Sequence, residues 1–289
     1  MEWLRWQRNP WGQEILRGLS WDLVWLAIAA GLLFAVVHTL LYYWRWRLNT
    51  PAGMAGKEDR TEVGGQVPER VPRHSLASRI FHWVMATSML ALLFTGFLPI
   101  FGLKFSWVTP HWISGLVLTG AILFHIIHAS FWKGLASMWI TLQDLRDGWL
   151  NLRQIVGLPD PAPGRTGKNP LENKLFHHVT SITTLAVIAT GLLMMVKVDT
   201  PFWTRNPYLL PDDTWGVIYV LHGAASVAFI TLIITHIYFA IRPEKRWITL
   251  SMIFGWIPRN RYLEHYDTER WPVTQQTVRR ADRPLPKDG

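Results

Sequence analysis

The sequence predicts an all-α integral membrane protein with five transmembrane helices, and two observations carry that expectation. The apolar residues are gathered into five long blocks, and the basic residues alternate in abundance between the segments that separate them. The blocks are residues 23–43, 84–101, 113–131, 179–196 and 217–241. A hydrocarbon core of ~30 Å needs about 20 helical residues at ~1.5 Å each. The second and fourth blocks reach that length by extending into Phe81, His82, Phe176 and His177. A water-soluble helix of this length would keep a polar face, so five spans are the better reading.

Orientation follows from the cations. Of the 29 Lys and Arg residues, 23 fall in segments 45–79, 133–174 and 242–289, and six in 1–20, 102–111 and 197–216. Positive charge favours the cytoplasmic side. The N-terminus is therefore expected outside and the C-terminus in the cytoplasm; in a Gram-negative bacterium that places the chain in the inner membrane with its N-terminus in the periplasm. The net charge of +9 then reports orientation and attraction to membrane lipid, and gives no support to nucleic-acid binding.

Taken in order, residues 1–20 carry Trp3, Arg5, Trp6, Arg8 and Trp11, which predicts a short helix in the outer interface. The first block is followed, not preceded, by its basic cluster Arg45 and Arg47, so it is expected to stay as an outside-to-inside helix. Segment 49–72 holds three prolines and four glycines among charges and reads as a flexible cytoplasmic linker. Residues 137–156 read as an amphipathic helix on the cytoplasmic surface, followed by a Pro/Gly-rich stretch over 159–167. After Arg242 come an interfacial piece over 247–257 and a polar tail. The expected organisation is 1–48, an interfacial segment with an added membrane helix; 49–78, a linker; 79–242, a four-helix membrane core; and 243–289, a cytoplasmic tail.

The absence of cysteine excludes disulfides, thiolate-held iron–sulfur clusters and covalently attached c-type haem. A redox cofactor would have to be held by other side chains. One internal repeat is visible: Arg79-Ile80-Phe81-His82-Trp83-Val84 is similar to Lys174-Leu175-Phe176-His177-His178-Val179. The same offset of 95 carries Thr95-Gly96 onto Thr190-Gly191. The core thus reads as two related hairpins.

Ionisable residues inside a bilayer are costly and usually have a task. By depth, His111 and His222 lie near the outer ends of the third and fifth spans. His82, His125, His128, His177, His178 and His236 lie near inner ends. His222 and His236 are 14 residues apart, as are His111 and His125. Fourteen residues advance ~21 Å and turn roughly 40° short of four full turns, so each pair lies on nearly one face. Two stacked haems need that arrangement, since neutral imidazole is a good axial ligand for iron. At the outer level His111 and His222 are the only candidates. At the inner level His236 could pair with His82, His125 or His177, and the 14-residue spacing favours His125. His38 on the added span reads as structural, His74 and His265 as solvated, and a lone membrane histidine as a helix-to-helix hydrogen bond or proton-path residue.

These residues resemble a known family. Arg79-Ile80-Phe81-His82-Trp83, His111, Leu221-His222-Gly223-Ala224-Ala225 and His236-Ile237-Tyr238 are similar to the cytochrome b (gamma) subunit of membrane-bound formate dehydrogenases and to the b-type cytochromes of nickel–iron hydrogenases. The tail Ser251-Met252-Ile253-Phe254-Gly255, with His265-Tyr266 and Trp271, resembles the formate dehydrogenase type. The resemblance spans about residues 73–271; the first 72 residues depart from the shortest members. It implies two haem b groups, the inner held by His82 and His236 and the outer by His111 and His222. It also implies a quinone site (menaquinone or ubiquinone) on the inner side, among Asn169, Glu172, Asn173, Lys174 and His177. The local run Asn-Pro-Leu-Glu-Asn-Lys is one residue longer than the family's.

The function this implies is an electron conduit in a hetero-oligomeric complex. It would join an extracytoplasmic iron–sulfur or multihaem subunit, formate dehydrogenase-like, to the quinone pool. A hydrogenase, sulfur-compound or multihaem partner would use the same parts. A haem-free transporter with histidine proton relays is the rival class. Against it, no span is broken by paired Gly/Pro as midplane substrate sites often are, and the spans hold few acids.

Overall fold

The computed structural model describes residues 2–48, 67–133, 135–156 and 165–273. In chain order the elements are strands β1 (Leu4–Arg8) and β2 (Glu14–Leu19), helices α1 (Asp22–Leu48), α2 (Leu76–Phe97) and α3 (Val108–His128), and helix α4 (Leu142–Val156). Helices α5 (Leu171–Met195), α6 (Asp212–Ile241), α7 (Arg246–Phe254) and α8 (Arg259–His265) follow. A short strand β3 (Arg70–Pro72) precedes α2, and β4 (Trp256–Pro258) joins α7 to α8. Five helices are long and apolar enough to cross a membrane: Asp22–Trp44, Leu76–Phe101, Val108–Trp132, Leu171–Met195 and Asp212–Ile241. The five expected spans are these. As the sequence predicts, α2 and α5 begin before the apolar blocks and carry His82 and His177.

The chain divides into two compact units. The first comprises Met1–Trp44, Phe81–Ala129 and His178–Phe239. Its centre is Met89, Leu118 and Phe229, with Met85, Leu92, Ile122, Val187 and Leu232 packed around them. Those residues come from α2, α3, α5 and α6, so four helices share one core. Helix α6 reads out two faces. His222, Phe229 and His236 recur every seven residues along one of them. Thr231, Ile234 and Tyr238 lie on the other and meet α1. Thr231 Oγ1 donates to the Ala27 carbonyl at 2.9 Å, and Ile234 is seated on Gly31, where a Cβ would lie 3.0 Å from it. Tyr238 Oη is 2.9 Å from His38 Nδ1 and 2.8 Å from Thr39 Oγ1. Most of the other α1 side chains, among them Leu32, Leu33, Val36 and Leu40, are exposed, as lipid-facing residues are.

Residues 4–19 form a β-hairpin, not the interfacial helix that the Trp and Arg content of residues 1–20 predicts. The reason is local. Pro10 and Gly12 favour a turn over a helix, and Asn9 Oδ1 accepts from the backbone N–H groups of Trp11 and Gln13 at 3.1 and 2.9 Å. Gly12 supplies the left-handed conformation, φ 83°. β1 and β2 then pair antiparallel, with a bulge between Arg5 and Trp6. The hairpin packs on α6. Leu16 occupies the space above Gly216, and Leu19 lies beside Gly223. Ser20 Oγ accepts from Asp22 N–H at 3.3 Å, which helps start α1.

The second unit comprises Arg45–Ile80, Ser130–His177 and Ala240–Gly289. Its core is Val67, Val71, Ile257, Tyr262, Tyr266 and Trp271. The described end of the expected linker, from Val67, is therefore packed: Val71 pairs with Ile257 across β3 and β4. Residues 49–66, most of the Pro/Gly-rich stretch over 159–167, and the tail beyond 273 lie outside the described residues. Arg73 is buried; it donates to Tyr266 Oη at 2.6 Å and lies over the rings of Tyr266 and Trp271.

Candidate functional site

Each unit holds candidate residues of its own. In the first, the four inward-facing helices bring the histidines together in two pairs. The rings of His111 on α3 and His222 on α6 have centroids 6.4 Å apart. Those of His82 on α2 and His236 on α6 are 6.2 Å apart. The two pairs are 14 residues apart along α6, or ~21 Å, with Phe229 halfway between. Leu118 is likewise seven residues from His111 and from His125. The layer between the pairs is thus apolar and closed, with Leu118 1% and Phe229 2% exposed.

His125, the other candidate for the inner level, lies flat against Phe81, centroids 4.2 Å apart and ring planes 11° from parallel. His128 stacks on Phe124 in the same way.

The outer pair has further partners. Thr95 Oγ1 is 2.8 Å from His111 Nδ1, and Thr190 Oγ1 is 2.9 Å from His222 Nδ1. The glycine after each threonine faces the same ring. A Cβ at Gly96 would lie 3.5 Å from His111 Cε1, and one at Gly191 the same distance from His222 Cε1. The sequence repeat at offset 95 displayed this Thr-Gly pair twice, but its contact with the histidines depends on how the helices pack. Spacing alone did not reveal it.

The donor set fits a haem. Two imidazoles on opposite sides of one metal have ring centres roughly 6 Å apart, given ~2 Å per metal–nitrogen bond and ~1 Å from nitrogen to ring centre. The observed 6.2 and 6.4 Å separations agree with that. Among the described residues no group of three or more His, Cys, Asp or Glu side chains gathers as a protein-only metal site requires. Two facing imidazoles suit a metal that brings its equatorial ligands with it, and Gly96 and Gly191 leave room beside the rings.

In the second unit, the quinone candidates lie on and just before the first turns of α5. Glu172 and Asn173 are exposed, Asn169 and His177 half-buried, and Lys174 buried. Lys174 Nζ donates to Asp144 Oδ2 at 2.6 Å and to the Trp139 carbonyl at 3.0 Å. Burial works to raise the Asp144 carboxyl pKa. The hydrogen bonds from Lys174 and Thr141 and the ammonium charge outweigh it and hold the group below the usual carboxylate range. Arg270 bonds Asp147 on the next turn of α4 at 2.7 Å. The start of α5 is thereby fixed to α4.

The prokaryotic cytochrome b561 family matches residues 73–255, a stretch that includes all four paired histidines and both threonines. No curated protein matches the chain. With five helices fit to cross a membrane and a family match over more than half its length, the chain belongs to the prokaryotic cytochrome b561 family, membrane-embedded electron-transfer subunits of redox complexes that carry b-type haem.

Proposed function

We propose that the chain is a di-haem conduit between an extracytoplasmic redox subunit and the membrane quinone pool, with its N-terminus outside. His111 and His222 hold the outer haem b; His82 and His236 hold the inner. The observation that carries this reading is the repetition of one geometry at two levels, facing imidazoles 6.4 and 6.2 Å apart. These imidazole pairs would hold a haem whose chemistry, when bound, is reversible one-electron transfer.

The chain's own residues set the conditions for that transfer. Both levels draw one ligand from α6, so a single rigid helix fixes their separation. Met89, Leu118 and Phe229 keep water out of the layer between them, and a low-dielectric layer of fixed thickness resists rearrangement as charge passes. On the cytoplasmic side, exposed Glu172 and Asn173 offer polar atoms to a quinone headgroup. Asn169 and His177 flank them in sequence. Lys174 contributes by holding α5 to Asp144.

The proposed partner is formate dehydrogenase-like and carries iron–sulfur clusters or several haems. Support comes from the tail resemblance, whose Tyr266 and Trp271 are core residues of the second unit. The test is a reduced-minus-oxidised spectrum of the purified chain. A b-type haem signal that responds to added quinol is expected. A chain that binds no haem after expression with haem supplied would refute the conduit and leave the histidines as proton-relay groups.

A further inference from the structure

Resting on the assignment of His111 and His222 as ligands of the outer haem, we propose that Thr95 and Thr190 are positioning residues that fix the tautomer of both ligands and set the potential at that level. A threonine hydroxyl has one proton to donate and two lone pairs to accept with. Thr95 Oγ1 lies 2.6 Å from the carbonyl of Ala91 one turn back. Thr190 Oγ1 lies 2.6 Å from the carbonyl of Ala186. A carbonyl only accepts, so each hydroxyl proton is committed along its own helix. The remaining contact, to His111 Nδ1 at 2.8 Å and to His222 Nδ1 at 2.9 Å, is then one in which the imidazole donates. With Nδ1 protonated, the neutral ring keeps its lone pair on Nε2, the form in which it can bind iron.

Three further observations support a shared role. Both threonines are nearly buried, Thr95 8% and Thr190 7% exposed. Each bond crosses from one helix of a hairpin to the next, α2 to α3 and α5 to α6. The two are related by the internal offset of 95, so the device occurs once in each half of the core. An acceptor behind a ligating imidazole raises its basicity and fixes its orientation, which favours the oxidised metal.

The test uses the purified full chain with Thr95→Val, Thr190→Val and the double substitution, with Thr95→Ser and Thr190→Ser beside them. Haem is counted per chain, and each haem is titrated redox-chemically and examined by electron paramagnetic resonance. In the valine variants the outer haem is expected to shift to a higher potential with an altered low-spin signature, or to be lost. The serine variants restore it, and the inner haem is unchanged throughout. Unchanged potentials and spectra in the double valine variant would overturn the proposal, as would equal loss of the outer haem in the valine and serine variants, which would mean packing alone. Failure of the ligand assignment itself is read separately, as two haems retained in His222→Ala.

Discussion

At the scale of single residues, the decisive choice is between His82 and His125 at the inner level. Spacing favoured His125, because it repeats the 14-residue interval of α6. Family resemblance favoured His82. The facing ring of His236 belongs with His82, while His125 is stacked on Phe81. Alanine at His82 is therefore expected to remove one haem per chain, and alanine at His125 to leave both, as read by haem content. Which histidine turns toward α6 depends on helix rotation, and a 3.6-residue period does not fix rotation between separate helices. Lys174 was legible only as a charged candidate near a quinone. Its partner Asp144 is 30 positions away in sequence, on a helix whose docking no local pattern announces. Asp144→Asn leaves the Lys174 ammonium buried without its counter-charge, a change worth about 3–5 kcal/mol. The expected result is a lower unfolding temperature at neutral pH. The pH dependence follows from the depressed carboxyl pKa: the stabilisation is complete above the unfolded value of about 3.9 and is lost as pH falls through the lower folded value. The difference between wild type and Asp144→Asn should accordingly shrink only in strong acid.

Among the elements, the five spans were legible because burial in lipid imposes length and apolarity at once, and α4 was legible from its amphipathic pattern. The N-terminal hairpin was not. Tryptophan and arginine content describes an interface without saying which backbone occupies it, and the turn chemistry of Asn9, Pro10 and Gly12 decided the matter. The hairpin is held by close backbone approach to α6. A Cβ at Gly216 would lie 2.8 Å from both the Cβ and the carbonyl oxygen of Leu16. Gly216→Ala must push the hairpin away, at a cost of about 1–3 kcal/mol. Faster limited proteolysis within residues 2–20, with haem content unchanged, is the expected outcome. Cleavage at the wild-type rate would show that the hairpin does not depend on this contact.

For the whole molecule, orientation and haem number make up the account. The chain has no cysteine of its own, so one cysteine introduced at Gln13 reports on a single position. With the N-terminus outside, an impermeant thiol reagent should label it in intact cells, and labelling only after lysis would reverse the orientation. The positive-inside count is what supports that orientation; depth along the spans singled out the outer pair, whereas spacing alone did not single out His82 at the inner level. The most direct measurement of the central claim is haem b per chain in the purified protein, for wild type, His222→Ala and His236→Ala. Two haems in the wild type and one in each variant, with the remaining haem different in potential between the two variants, is the expected result. A wild type with fewer than two, or either variant retaining both, would contradict the two-level conduit.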